Sequence, residues 1–160
     1  MAVKASLGGA VKRREDARLI TGRGRYTSDV GGEGWLHAVF VRSTLAHARV
    51  ISFDREAAAA MPGVIGVYLA SDLGLKAQEA PSLDQFARPP IASDVVRFVG
   101  DIVGVVVAES RAVAADAAAA LLVDYDALEA VVDAGAALEP GAPVLHPAKG
   151  DNEVSTTEFG

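Results

Sequence analysis

The sequence predicts an α+β fold built on a mixed sheet with two strand–helix–strand units. Short apolar runs rich in valine and isoleucine predict strands, and alanine-rich segments that follow a capping residue predict helices. The order strand, helix, strand occurs twice, at residues 48–69 and 102–125, without enough identity for a sequence repeat. A chain of 160 residues can bury a hydrophobic core without disulfide staples.

The first half of the chain predicts three strands and one short helix. Residues 35–42 (WLHAVFVR) follow a glycine-rich turn and are apolar on both faces, which predicts a strand covered on both sides or nearly so. A second strand is predicted at 48–53, and Asp54 is placed to cap a helix over residues 54–61. Pro62-Gly63 ends that helix before the apolar run VIGVYLA, which predicts the third strand.

The second half repeats the order strand, helix, strand after a long irregular segment. Residues 71–92 carry three prolines and no sustained period, which predicts a loop around a small turn at 71–73. Strands are predicted at VVRF and IVGVVVAE, and Ser110 is a good N-cap for the helix that follows. A last strand begins at residue 122. The apolar face of the helix comprises Val113, Ala114, Ala117, Ala118 and Leu121.

Charge is distributed unevenly along the chain. Residues 1–25 hold seven bases and two acids, a balance of +5, so the remaining residues carry −11 within the total of −6. We therefore divide the chain into a basic N-terminal arm (1–30), a folded domain (31–133) and a glycine- and proline-rich exit arm or linker (134–160). Because the arm lacks interleaved aromatic residues and the acidic body repels phosphate, docking on an acidic protein surface is favoured over nucleic-acid binding.

Composition and spacing exclude several kinds of chemistry. Without cysteine, this chain supplies no disulfide, thiolate zinc site, iron–sulfur ligand or cysteine nucleophile. The three histidines, His37, His47 and His146, lack the i, i+4 spacing that puts two imidazoles on one helix face. The string GRGRYT has threonine where a dinucleotide loop needs its third glycine, and no P-loop or GxSxG motif occurs. We therefore assign no catalytic, cofactor-binding or metal-binding residue.

Two polar segments stand out because local structure alone does not require them. One follows residue 13 in the basic arm, and the other is the turn at 42–49, where a plain hairpin would use Asn-Gly. A solvated loop and a contact surface both remain open for these segments. The candidate subunit-contact residues are Arg14, Asp16, Arg18, Arg42, His47 and Arg49.

Five blocks of the sequence resemble, in order and spacing, the start of molybdenum hydroxylase large subunits. This is the family of xanthine dehydrogenase, aldehyde oxidase and aerobic carbon monoxide dehydrogenase. Together the blocks span about residues 8–147. They are RREDARLITGRGRYTSDV, GWLHAVFVRSTLAHARVISFD, MPGVIGVYLASDL, PPIASDVVRFVGDIVGVVVAES and ADAAAALLVDYDALEAVVD.

The resemblance implies an α/β hammerhead domain preceded by a basic arm. It also implies that the molybdopterin ligands, a glutamine near molybdenum and the catalytic glutamate lie downstream, so residues 134–160 lead toward a missing molybdopterin-binding region. The full subunit would carry molybdopterin cytosine dinucleotide or a related molybdenum cofactor. The implied partners are the remainder of the large subunit and separate iron–sulfur and FAD subunits.

Four positions depart from the family's pattern. Thr44 and Leu45 stand where the turn usually contains proline, which predicts a less preorganised turn. Asp101 replaces a glutamate and shortens the contact that the longer side chain would make. Gly104 is predicted to weaken a strand interior.

Two functions remain open at this point. The first is an N-terminal structural and subunit-contact domain of a molybdenum-dependent oxidoreductase, which hydroxylates an aldehyde or heterocycle carbon or oxidises carbon monoxide; this segment is not catalytic alone. The rival is a self-standing, non-catalytic α/β scaffold or assembly module. Because the first residues lack an apolar core and no run of about 18 apolar residues occurs, neither a signal peptide nor a membrane span is predicted, and a cytoplasmic location is expected.

Overall fold

The computed structural model describes residues 13–77 and 86–156, and the chain divides into two compact units, Met1–Trp35 and Leu36–Gly160. The described part of the first unit contains α1 (Asp16–Leu19) and a 3-10 turn at Thr27–Asp29. The predictions for residues 1–12, for the middle of the 71–92 excursion and for residues 157–160 lie outside the described residues. The elements of the second unit are β1 (His37–Arg42), β2 (Ala48–Asp54), α2 (Glu56–Ala59), β3 (Val64–Tyr68), α3 (Ala70–Leu73), β4 (Val95–Val96), β5 (Ile102–Ala108), α4 (Arg111–Ala120), β6 (Leu122–Ala127) and a 3-10 turn at Ala136–Leu138.

The strands form two three-stranded sheets, and every strand pair is antiparallel. In the first, here called the β5 sheet, β5 lies between β1 and β3; in the second, the β2 sheet, β2 lies between β4 and β6. The α+β fold class and the two strand–helix–strand units are confirmed. The single mixed sheet predicted within that fold is wrong, because the six strands divide between two antiparallel sheets.

Each strand–helix–strand unit connects one sheet to the other, which explains this difference. The unit β2–α2–β3 runs from the β2 sheet to the β5 sheet, and the unit β5–α4–β6 runs back. A helical crossover produces parallel neighbours only when both of its strands join the same sheet. Here each crossover ends in the other sheet, so the two strands of a unit are never neighbours.

Helix α4 covers one face of the β5 sheet. The Ser110 Oγ accepts a hydrogen bond from the Val113 backbone N–H at 3.2 Å, which confirms the predicted N-cap. Ala117 is fully buried and packs in one cluster with Val106 of β5. Small alanine side chains let the helix backbone approach the sheet closely, and the predicted apolar face is the face that is buried.

Gly104 belongs to this close packing. A Cβ at this position would lie 3.3 Å from Leu69 Cδ2 and 3.4 Å from Leu121 Cδ2, both of which cover the strand. These contacts are tighter than most side-chain contacts and approach the van der Waals limit. The glycine therefore provides room for the neighbouring leucines. The sequence analysis predicted only that it would weaken the strand.

The opposite face of the β5 sheet is only partly covered, contrary to the expectation that the first strand is covered on both sides: Ala38 and Phe40 are exposed, and Tyr68, Val105 and Val107 are half-buried. Strand β1 begins at His37, two residues later than predicted, and all but two of its residues are exposed. On this side of the sheet, Ala38 and Phe40 of β1 lie opposite Val107 and Val105 of β5. Tyr68 of β3 also lies opposite Val105. We call this surface the apolar face; it comprises Ala38, Phe40, Tyr68, Val105 and Val107.

The β2 sheet also has one buried and one exposed side. Its inner side contributes Ala48 and Val96 to a second core cluster, and Phe53 contacts both clusters, so the two cores are continuous. On its outer side, Arg49 lies opposite Asp126 in the strand register. We call this outer surface the polar face; it comprises Arg49, Ser52, Asp124 and Asp126, and it also exposes Ile51 (59%) at the irregularity of β2 and Leu122 (63%) at the start of β6.

Short connections complete the second unit. The N-cap of α2 (Glu56–Ala59) is Arg55 and not Asp54 as predicted, although Asp54 Oδ1 accepts the Glu56 backbone N–H at 3.1 Å just before the helix. The predicted turn at 71–73 is the short helix α3. In the segment predicted as an exit arm, the Asn152 side chain donates to the Ala137 and Pro143 carbonyls at 3.0 and 2.9 Å. That segment is therefore folded back on itself over residues 137–152.

Candidate functional site

The turn between β1 and β2 is held by hydrogen bonds in place of the missing proline. Ser43 is 3% exposed, and its backbone N–H donates to the Asp101 carbonyl at 2.8 Å. The Gly100 N–H donates to the Ser43 carbonyl at 2.8 Å, and Ser43 Oγ donates to the Leu45 carbonyl, also at 2.8 Å. The turn is thus fixed to the loop that precedes β5, which offsets the loss of a preorganising proline.

Three of the predicted contact residues surround this turn, and each is bound within the chain. The Arg42 guanidinium donates to the Gly100 carbonyl at 2.9 Å and lies 5.9 Å from the centre of the Phe40 ring. The Nδ1 atom of His47 lies 2.7 Å from the Glu129 carbonyl oxygen. Arg49 forms an exposed ion pair with Asp126 at 3.7 Å across the polar face. These contacts position the three side chains, and the role of those side chains toward another subunit stays a prediction.

The other three predicted residues lie at α1 in the first unit. Arg14, Asp16 and Arg18 are all exposed, and Arg18 pairs with Glu15 at 2.7 Å. An exposed pair of this kind contributes about 0–1 kcal/mol, so it does little to hold the four-residue helix. The side chains on α1 are therefore available to solvent, and their contact role also stays a prediction.

A buried carboxylate that the sequence analysis did not select organises the second unit. Asp101 is 1% exposed, and its side chain accepts from the Arg88 guanidinium at 2.9 Å and from the Arg97 backbone N–H at 3.1 Å. The Arg88 guanidinium also lies 4.9 Å from the centre of the Phe98 ring. We call the group Arg88, Arg97 and Asp101 the Asp101 junction. Both carboxylate oxygens of this shorter side chain thus accept a hydrogen bond.

The Asp101 junction extends to the far end of the chain. The Arg97 side chain donates to the Leu145 carbonyl at 2.9 Å, and the next residue, His146, packs edge-on against Phe86 with ring centres 5.2 Å apart. Burial lowers the pKa of His146, and the neighbouring Arg97 and Arg88 guanidinia lower it further. The junction therefore ties the 86–88 and 145–146 segments to the loop before β5.

The chemistry of this junction is that of a structural contact. Its carboxylate is paired with a guanidinium, and each of its oxygens accepts a hydrogen bond from within the chain. Burial also raises the pKa of the nearby Tyr125 hydroxyl. The one feature of the sequence that pointed to this junction was the Gly100-Asp101 pair between two strands. Its partner Arg88 lies 13 residues away with no periodic relationship to it.

Over residues 13–77 and 86–156, no group of three histidine, aspartate or glutamate side chains is arranged to hold a metal ion. Within the same residues, no helix is long and apolar enough to cross a membrane. A depression of about 360 Å³ is lined by residues 137–142, 144 and 150–153 and carries the carboxylates of Glu139, Asp151 and Glu153. Those three negative charges make it unsuited to an anionic ligand.

Comparison with known proteins connects this geometry to a family. The family described as "Aldehyde oxidase and xanthine dehydrogenase, a/b hammerhead domain" matches residues 21–129. The nicotine 6-hydroxylase large subunit of Paenarthrobacter nicotinovorans is 43% identical over 152 residues, which cover 91% of this chain and 18% of that subunit.

Solved structures give the same result. The quinoline 2-oxidoreductase of Pseudomonas putida 86 matches 96% of this chain with a TM-score of 0.80 and 43% identity, over 20% of its own chain. A Cu,Mo-carbon monoxide dehydrogenase matches 84% with a TM-score of 0.71 and 39% identity, over 17% of its own chain. The present chain thus spans about a fifth of the length of the relatives it matches.

Proposed function

The chain belongs to the aldehyde oxidase and xanthine dehydrogenase α/β hammerhead family, and from this premise we propose that it is a non-catalytic structural and contact domain of a large subunit. The whole assembly would be a molybdenum-dependent oxidoreductase. The observation that carries this proposal is the pattern of coverage: nearly all of this chain matches less than a fifth of a named large subunit at 43% identity.

The chemistry of the whole assembly is proposed from its relatives. Nicotine and quinoline, named in two of the relatives, are nitrogen heterocycles, and a third relative is named for carbon monoxide and molybdenum. We therefore expect oxidation of a heterocycle or aldehyde carbon, or of carbon monoxide, at a molybdopterin cytosine dinucleotide or related cofactor. Separate iron–sulfur and FAD subunits would carry the electrons away, in the cytoplasm. The residues of the present chain hold none of these groups in this proposal.

The proposed division of labour follows the predicted segments. Residues 31–133 would form the packing domain, residues 1–30 an arm that contacts an acidic surface of another subunit, and residues 134–160 the path toward the molybdopterin-binding region. Exposure of the basic side chains on α1 supports the arm's role. The contacts that bind Arg42, His47 and Arg49 within the chain make the turn a more rigid, secondary contact.

Isolation of the native assembly tests this proposal. The chain is tagged at its natural locus and purified without denaturant, and molybdenum, iron and FAD are measured per chain together with the intact mass of the tagged polypeptide. We expect all three groups to co-purify. A polypeptide of about 16.5 kDa that carries none of them would contradict the proposal and favour the self-standing scaffold or assembly module.

The arm is tested in the same preparation by reversing charge. The pair Arg14→Glu and Arg18→Glu should lower the amount of iron and FAD recovered with the tagged chain, because the proposed partner surface is acidic. Arg111→Glu is the matched control, since it reverses an exposed arginine in the second unit. Equal recovery from both variants would remove the arm from the contact surface.

A further inference from the structure

We propose that the apolar face of the β5 sheet packs against the remaining part of a large subunit, and that the polar face of the β2 sheet stays in water. This inference rests on the proposed function, which makes the chain one domain of a larger subunit. It adds the surface by which the domain is held. That surface consists of uncharged side chains, and Arg42 borders it with its guanidinium 5.9 Å from the centre of the Phe40 ring.

The apolar face is continuous across all three strands. Val105 and Val107 of β5 occupy its centre, with Ala38 and Phe40 opposite them on β1 and Tyr68 opposite Val105 on β3. None of these five neighbouring side chains is charged, and the Arg42 guanidinium lies next to them, 5.9 Å from the centre of the Phe40 ring. Phe40 is 49% exposed even though it is the largest apolar side chain of the set.

The Tyr68 ring lies over Gly66 of its own strand. A Cβ placed on Gly66 would lie 2.6 Å from the Tyr68 Oη and 2.7 Å from its Cζ, so the ring lies back along its own strand over the glycine. The aromatic ring thus fills the space that a side chain at position 66 would occupy. An apolar surface with an aromatic ring at each side is typical of a packed interface and unusual for a solvated sheet.

The pattern of side chains indicates that the β5 sheet is covered on both of its faces. An antiparallel sheet with one face in water normally alternates apolar and polar residues, as the polar face of the β2 sheet does. Strand β5 instead carries valine on both sides, at Val106 toward α4 and at Val105 and Val107 away from it. Among the described residues, α4 supplies the cover for the first side, and the second side retains exposed apolar area.

Relative length identifies the occupant. The chain corresponds to 17–20% of the three relatives described above, so about four-fifths of each of them lies outside the matched part. A body of that size can supply an apolar surface for three strands. The exposed ion pair between Arg49 and Asp126 lies on the polar face, outside this contact, where it contributes little to affinity.

A chimeric large subunit provides the test. This chain replaces the matching segment of the nicotine 6-hydroxylase large subunit, to which it is 43% identical, and the chimera is produced with that enzyme's other subunits. Phe40→Lys and Val107→Lys place a charge on the apolar face, and Ser52→Lys places the same charge on the polar face as a control. We expect each apolar-face variant to lower the yield of molybdenum-containing assembly at least tenfold, and the control to leave it within twofold.

The same three variants are made in the 160-residue chain alone, where thermal unfolding and sedimentation are measured. There the apolar face has no partner, so we expect Val107→Lys and Ser52→Lys to change Tm by similar small amounts and all the chains to remain monomeric. Selective loss of yield in the chimera, together with this tolerance in the isolated chain, supports the inference.

Each other outcome contradicts one of the two proposals. If the unsubstituted chimera fails to assemble, the proposed function is wrong. If it assembles and tolerates Phe40→Lys and Val107→Lys, the function stands and this docking surface is wrong. If the isolated chain dimerises and Phe40→Lys makes it monomeric, a second copy covers the face. If Val107→Lys unfolds the isolated chain, the chain covers this face itself, which also overturns the inference.

Discussion

The two sheets of the second unit present outer faces of opposite character. On the polar face, Arg49 pairs with Asp126, and Ser52 lies opposite Asp124, so water solvates the groups between the strands. On the apolar face, valine and aromatic side chains occupy the equivalent positions. Both sheets have three antiparallel strands, and both bury their inner side in one continuous core. Strand number and direction therefore do not account for the difference between the two outer faces.

This contrast teaches how exposure and sequence pattern should be combined. The sequence of β1 predicts cover on both sides, and the isolated fold provides it on one side only. Exposed apolar residues that occur singly are common on protein surfaces, whereas a contiguous patch marks an interaction site. Substitutions on the two sides of the β5 sheet, or on the two outer faces, should therefore have different effects if the apolar face is an interaction site.

The largest effect is expected from two adjacent residues on opposite sides of β5. Val106→Lys places an ammonium group in the fully buried cluster under α4, where an unpaired charge costs several kcal/mol, roughly 3–5. Val107→Lys places the same group on the apolar face and should cost about 1 kcal/mol or less. Urea unfolding of the isolated chain followed by circular dichroism measures both. Equal losses would mean that the apolar face is buried within the chain.

A second prediction compares the Asp101 junction with the ion pair on the polar face. Asp101→Asn leaves the Arg88 guanidinium without its carboxylate beside a buried site and should lower the free energy of unfolding by about 1–3 kcal/mol. Asp126→Asn removes the partner of Arg49 where both side chains are exposed, and should cost less than about 0.5 kcal/mol. Chemical denaturation of the two variants checks the difference, and a similar cost for both would contradict the structural role of the junction.

The third prediction concerns the helix that covers the inner side of the β5 sheet. Ser110→Ala removes the hydrogen bond from the Val113 N–H to the capping hydroxyl and should cost about 1 kcal/mol. Ser52→Ala, the matched change on the polar face, should alter stability by less than about 0.5 kcal/mol. Thermal unfolding monitored by calorimetry gives both values. If the two serines prove equivalent, the cap does not stabilise the cover of this sheet.

The smallest effect is expected from pH. Because burial and two arginines lower the pKa of His146, the folded chain binds that proton less readily than the unfolded chain. The contribution of neutral His146 is therefore complete above its ordinary value of 6.5 and is lost as pH falls through the lower folded value. The difference in Tm between the unsubstituted chain and His146→Gln should shift in favour of the variant as pH is lowered from 7.5 to below 6.5. A difference independent of pH would exclude this coupling.

Local signals in the sequence predict much of the fold. Val-rich runs, the Ser110 cap and the alanine face of α4 lie where they were expected, because cap chemistry and helical period depend on neighbouring residues. The sheet to which each strand belongs was not predictable in this way. Alternation along a strand specifies its faces, but it carries no information on which other strand lies beside it.

The candidate site was predictable only in part, for a similar reason. The turn at 42–49 was selected from its charge, and its side chains are placed by contacts to Gly100, Asp126 and Glu129. Asp101 was noted as a departure from a family pattern, yet its burial depends on Arg88 and Arg97, whose approach is a property of the folded chain. A short polar residue between two strands gives no local sign that it will be enclosed.

The crossing of the two strand–helix–strand units also determines when the domain can form during synthesis. His37 of the first strand pairs with Ala108, and Asp54 pairs with Leu122, so each sheet waits for a strand made much later. At a translation rate of roughly 5–20 residues per second, β1 and β2 would remain unpaired for on the order of several seconds. During that interval the apolar side chains and unpaired edges of both strands are exposed, so the early half of the domain is prone to non-native association until the later strands are made.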